Sequence, residues 1–236
     1  MYFDPIYLLI TLVFGGLSLA VSSTLKRKFK KYSQMRLWSD LSGKEAAEQM
    51  LRDHQIHDVS VTCVAGQLTD HYNPANKTVN LSEDVYHGKS AASVAVAAHE
   101  CGHAVQHATA YSMLQFRSAL VPIQNISATV LNVVFMMMYF GAFMLQNAFP
   151  MQLALLIIIA CYGAFALFSI VTLPVEYDAS NRALKWIQAN NIVTDQEYDA
   201  AKDALKWAAR TYLVAALGAI ATLLYFVLRF IGSGDD

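Results

Sequence analysis

The chain has 236 residues, of which 56% are apolar and only 15% charged, with a formal net charge of −1. Soluble domains carry about 25% charged residues, so the composition points to a membrane protein. The balanced charge and the lack of a basic stretch interleaved with aromatics argue against a nucleic-acid partner. The three scattered cysteines, Cys63, Cys101 and Cys161, do not make a disulfide framework.

Pro5 to Leu25 is free of charge and lies between Asp4 and Lys26. At 1.5 Å per residue it spans roughly 30 Å, one bilayer core. Basic residues follow the run instead of preceding it, so a retained anchor over residues 1–25 is expected rather than a cleaved signal. Lys26 to Arg36 (KRKFKKYSQMR) is then an orientation signal that holds this side in the cytoplasm. The same run suits an anionic lipid surface.

Leu41 to Ile56 reads as an amphipathic helix capped by Ser42, with Ala46, Met50 and Leu51 at helical spacing. The period changes between Asp58 and Ser82. VSVTCV, LTDHYNP and KTVNLS predict short strands, with turns at Ala65-Gly66 and Asn73-Pro74. Ser90 to Ala110 is helical again. Ser118 to Val175 contains no charged residue and fits two spans that turn near Asn147 to Pro150. Residues 176–210 are polar and helical, and 211–236 hold a last span and a short tail.

The predicted fold is a mostly α membrane protein. It has about four transmembrane helices and a cytoplasmic α+β part with a small sheet, formed chiefly by residues 26–117. The spans over 118–175 go out and back, so residues 176–210 return to the cytoplasmic side. Arg182, Lys185, Lys202, Lys206 and Arg210 in that block obey the positive-inside rule.

The helix over 90–110 carries His99-Glu100-Cys101-Gly102-His103, an H-E-x-x-H. Residues four apart lie about 40° apart around a helix axis, so both imidazoles can reach one Zn²⁺. Glu100 stands beside the metal, where it can take a proton from an activated water and pass it to a leaving amine. Cys101 points away and is not a ligand. Ala97, Ala98, Gly102 and Ala104 allow close backbone packing around the motif.

A catalytic zinc needs a third protein ligand. Position 109 is Thr109, which closes the metzincin spacing, and His107 has rotated off the face of His99. Glu176, in VEYDASNRAL at the exit of a span, is the favoured third ligand. Read blandly, it is a solvated acid at a helix N-terminus. Asp178 suits a role orienting a ligand imidazole. Arg182 either pairs with Asp178 or lies near the developing oxyanion. His71 or Tyr72 could stand near the metal as transition-state donors.

AAHECGHAVQHA, the downstream LPVEYDASNRAL and the preceding YNPANKTVNLSEDVY together resemble the YugP-like family of membrane zinc metallopeptidases. More distantly the pattern is similar to the gluzincin clan, including HtpX-like membrane proteases. The resemblance implies a zincin-like catalytic part. It implies one zinc held by His99, His103 and Glu176, Glu100 as catalytic base, and a protein or peptide substrate, membrane proteins included, handled at the bilayer. Relatives of this kind often carry Asp where this chain has Ser180. The resemblance also implies an edge strand beside the motif helix that pairs with an extended substrate; Lys77 to Leu81 reads either as that strand or as an ordinary hairpin strand of the core. Two other readings compete. One is cleavage within the bilayer, which would place the motif in a spanning helix with an aspartate ligand. The other is a non-catalytic zinc-binding scaffold or sensor, which would leave Glu100 without a purpose.

Overall fold

The computed structural model describes residues 4–144 and 151–232. The turn expected near Asn147 to Pro150 lies outside them. In chain order the elements are α1 (Pro5–Ser33), α2 (Gly43–Asp53), β1 (Ser60–Val64), β2 (His71–Asn73), β3 (Thr78–Ser82), α3 (Glu83–Tyr86), α4 (Ala91–Ala108), α5 (Ser112–Met144), α6 (Met151–Ala189) and α7 (Asp195–Gly232). Among the described residues four helices, α1, α5, α6 and α7, are long and apolar enough to cross a membrane. α4 is not one of them, so the H-E-x-x-H does not ride on a candidate span.

The polar blocks do not form separate helices. α6 continues from its apolar stretch through Glu176 to Ala189, and α7 runs from a polar start into the last apolar stretch. Residue polarity changes at 175/176 and at 210/211, but nothing there breaks a helix. Pro174 removes one intrahelical hydrogen bond just ahead of Glu176, and the helix continues past it.

The chain divides into two compact units. The first gathers the described parts of Met1–Leu19, Phe116–Thr172 and Tyr212–Asp236. Its core holds Leu131, Val134 and Met138 of α5, Leu155, Ile158 and Cys161 of α6, and Phe226 of α7. Tyr162 stacks on Phe226 at 5.4 Å between centroids, and Asp4 pairs with Arg229. Leu9, Leu12, Ile126, Met136, Leu224 and Leu228 are exposed. An apolar surface of that extent is what lipid contact requires.

The second unit comprises Ala20–Gln115 and Leu173–Thr211. One core joins α2, β3, α4 and the polar ends of α6 and α7, including Met50, Leu81, Val94, Ile187 and Leu205. Ser42 caps α2 in a reciprocal box with Glu45, which satisfies two helix-end donors at once. Thr194 and Glu197 do the same for α7, and the second Glu197 oxygen accepts the Trp38 N–H. Lys28 and the Tyr32 hydroxyl both bind Asp203 of α7, at 2.8 and 2.6 Å. One face of the basic run is therefore structural.

The three strands form one mixed sheet in the order β1-β3-β2, with β1 parallel and β2 antiparallel to β3. Of the two readings of Lys77 to Leu81, the free edge is corrected and the core strand is the one found: its backbone bonds to β1 on one side and β2 on the other, with Val79 and Leu81 fully buried. The edge strand packed against α4 is β2.

α4 is buried on nearly all sides, as its Ala-Val composition demands. Ser90 caps it by accepting the Ser93 N–H. The decisive packing point is Gly102. A Cβ added there would lie 2.6 Å from the Ala179 carbonyl oxygen of α6, so only glycine permits this crossing. Gly102→Ala should cost about 1–3 kcal/mol through overpacking. By contrast Gly15→Ala, which meets nothing within 4 Å, should leave the melting temperature unchanged. Thermal unfolding of the two variants in detergent, beside the unmodified chain, checks the difference.

Candidate metal centre

The crossing of α4 and α6 brings three potential ligands together. His99, His103 and Glu176 each present a donor atom, and these atoms lie within 4.8 Å of one another. The Glu176 Oε2 is 3.3 Å from His99 Nε2 and 3.6 Å from His103 Nε2. Tetrahedral ligands at zinc distances sit about 3.3–3.4 Å apart, so the donor set fits a small divalent cation. Glu176 is only 2% exposed and His103 9%.

The electrostatics agree with the distances. Burial pushes the His103 imidazole toward its neutral form, but the Glu176 carboxylate outweighs it and raises the His103 pKa above the ordinary value. The pocket thus favours positive charge between these atoms, whether proton or metal.

Each imidazole is aimed by its other nitrogen. His103 Nδ1 lies 3.0 Å from Gln106 Oε1, and His99 Nδ1 lies 3.1 Å from Ser180 Oγ. With both Nδ1 atoms protonated and donating, both Nε2 lone pairs face Glu176. The Gln106 amide then donates to the Val175 carbonyl and to Asp178 Oδ2, each at 2.8 Å. Asp178 therefore acts on His103 through Gln106, not directly as expected. Arg182 donates to Asp178 at 2.6 Å, which selects the pairing alternative, and its guanidinium lies over the Tyr111 ring.

Glu100 is 8% exposed, and one of its oxygens accepts the Tyr72 backbone N–H at 3.0 Å. The edge strand β2 thereby holds the carboxylate. The Tyr72 side chain goes elsewhere: its hydroxyl is 2.8 Å from His107 Nδ1. His71 is exposed, with Nδ1 bonded to the Thr69 carbonyl. The His71 and Tyr72 side chains, expected as donors near the metal, are thus bonded to Thr69 and His107, and what this pair contributes at Glu100 is the Tyr72 backbone N–H. Cys101 is fully buried with Sγ on the Ala47 carbonyl. Burial pushes its thiol pKa up, so it stays protonated and apart from the ligands.

With this geometry in view, comparison with known proteins is decisive. Residues 7–231 match the family described as "Putative neutral zinc metallopeptidase". The chain belongs to that zinc metallopeptidase family. It is also 34% identical to the "Putative membrane protease YugP" of Bacillus subtilis (strain 168), over 98% of this chain and 99% of that protein. No solved structure matches the chain.

Sequence reasoning overlooked Gln106 and met Ser180 only as a departure from the family pattern. Both had a helical signal: Gln106 is three residues beyond His103, and Ser180 four beyond Glu176, on the faces those ligands share. In this zinc metallopeptidase family member, Gln106→Ala and Ser180→Ala should each weaken zinc binding about 10–100-fold without unfolding the protein. Competition with a chelating dye reads the affinity. A zinc ion bound between these residues would have to displace the proton that Glu176 helps His103 to hold. As pH falls, affinity should therefore decline from a higher pH than an ordinary imidazole near 6.5 dictates. The same titration repeated between about pH 6 and 8 measures the onset.

Proposed function

We propose that this chain is a multi-pass membrane zinc endopeptidase that cuts protein or peptide substrates at the cytoplasmic face of the membrane. The observation that carries the reading is the convergence of His99, His103 and Glu176, with Glu100, the residue after His99, held by the Tyr72 N–H. His99, His103 and Glu176 would hold the zinc. Bound there, zinc supplies a Lewis acid that polarises a carbonyl and lowers the pKa of water.

The chain's own residues do the rest. The Tyr72 N–H takes one Glu100 oxygen and leaves the other to accept a proton. Glu100 then acts as general base and returns the proton to the departing amine. Gln106 and Ser180 keep the imidazoles in the tautomer that ligation needs. β2, as an edge strand beside α4, is the place for an extended peptide to pair.

The cytoplasmic assignment rests on Lys26 to Arg36 and on Arg182, Lys185, Lys202, Lys206 and Arg210, which flank apolar stretches. Cleavage inside the bilayer is disfavoured, since α4 is not a candidate span among the described residues. A metal scaffold without turnover would have no use for a carboxylate oriented as Glu100 is.

The test is cleavage of casein by zinc-loaded, detergent-purified protein and by Glu100→Gln at equal zinc content. The variant should lose about 10²–10⁴-fold in rate. Equal cleavage by both proteins would overturn the role of Glu100. Zinc retained by both with no cleavage by either would favour the scaffold.

A further inference from the structure

The basic run that follows the first apolar stretch is divided between two uses. Lys28 turns inward to Asp203. On the opposite side of α1, Lys26, Arg27 and Lys30 line a cavity of about 640 Å³ together with Phe29, Ser33, Gln67, Asp84, Gly88 and Ser93. None of these three cations joins an ion pair among the described residues, while Lys28, Lys77 and Lys89 all do. An orientation signal needs only charge. It does not need three cations without a carboxylate partner, Arg27 donating only to the Thr24 hydroxyl at 3.2 Å, around a cavity within the size range of small-ligand sites, about 300–1,000 Å³.

Two features narrow the ligand. Lys26 is the first charged residue after the 21-residue run Pro5 to Leu25, so the cations fall where a span meets the headgroup layer. The cavity also contains one acid. Asp84 Oδ2 accepts from Gln67 Nε2 at 3.3 Å, and Oδ1 has no protein donor among the described residues. A bare anion would be repelled by that carboxylate. A phosphodiester that carries a hydroxyl or ammonium group beyond the phosphate would satisfy both walls.

We propose that this cavity is a phospholipid headgroup site. The lipid phosphate sits on Lys26, Arg27 and Lys30, and a headgroup hydroxyl or ammonium donates to Asp84. The apolar Phe29, only 6% exposed, forms part of the wall between them. Phosphatidylglycerol and phosphatidylethanolamine meet the requirement. Phosphatidylcholine does not, because its ammonium has no N–H. The site is separate from the metal centre and does not depend on the peptidase reading.

The test is the melting temperature of the full chain in mild detergent, with matched short-chain phosphatidylglycerol, phosphatidylethanolamine or phosphatidylcholine. The first two should raise it by several degrees, as a ligand of the native state does, and the third should not. Lys26→Gln/Lys30→Gln should abolish the rise, and Lys26→Arg/Lys30→Arg should keep it. Asp84→Asn should erase the preference over phosphatidylcholine. Three results would overturn the proposal: an equal rise with phosphatidylcholine in the unmodified chain, a rise that survives the double glutamine variant, or the full rise with inorganic phosphate alone, which would mark a site for free phosphate and not for a lipid.

Discussion

Everything at the candidate metal centre depends on how closely α4 and α6 can approach. Its three potential ligands come from two helices far apart in sequence, and side chains of fixed length can meet only if the backbones nearly touch. Gly102 supplies that approach, with the Ala179 carbonyl where a side chain would otherwise be. The neighbours on both helices are small for the same reason: Ala98, Ala179 and Ala183 are fully buried. The site is thus a consequence of packing geometry before it is a matter of ligand chemistry.

Close packing also creates an electrostatic problem. Glu176, His103 and Glu100 are all largely removed from water, and isolated buried charges are costly. The solution is a chain of partners in which each polar group answers the next. Arg182 neutralises Asp178, Asp178 and the Val175 carbonyl accept from Gln106, and Gln106 fixes His103. On the other side Ser180 fixes His99. A serine hydroxyl is a weaker acceptor than a carboxylate, so the two imidazoles are held unequally. His103 connects through an amide to an anion, whereas His99 ends on a neutral group.

Much of this was legible in the sequence because it is local. The spacing of His99 and His103, the Ser42 cap, the three strands and the long charge-free runs are all periodic signals within one element. Membrane topology, and then the resemblance to the zinc metallopeptidase family, joined Glu176 to the motif across 72 intervening positions, which no helical period can do. What escaped was tertiary. Whether Lys77 to Leu81 is edge or centre depends on which strand lies on each side of it, and that is a property of sheet order. The boundary between span and polar block read as a helix boundary, because composition changes there while helix propensity does not. The identity of the group behind each imidazole depended on a neighbour three or four residues along, or on the other helix.

The parts of the proposed machinery come from three different elements. α4 gives two ligands and the base, and α6 gives the third ligand. β2 gives the N–H that holds the base, and the α4–α6 contact through Gln106 gives the aim. No pair of these forms the site alone. An unfolded chain could offer His99 and His103 at helical spacing only after α4 had formed, and that helix is stabilised by burial in the shared core, since Ala and Val dominate its sides. A cation bound between His99, His103 and Glu176 would therefore draw its affinity from the folded state and return it as stability. It would act as a further contact between α4 and α6, beside Gly102–Ala179, His99–Ser180 and those of Gln106 with Val175 and Asp178. The same crossing that makes the ligands converge is the one a bound metal would reinforce, so fold and proposed chemistry rest on one interface.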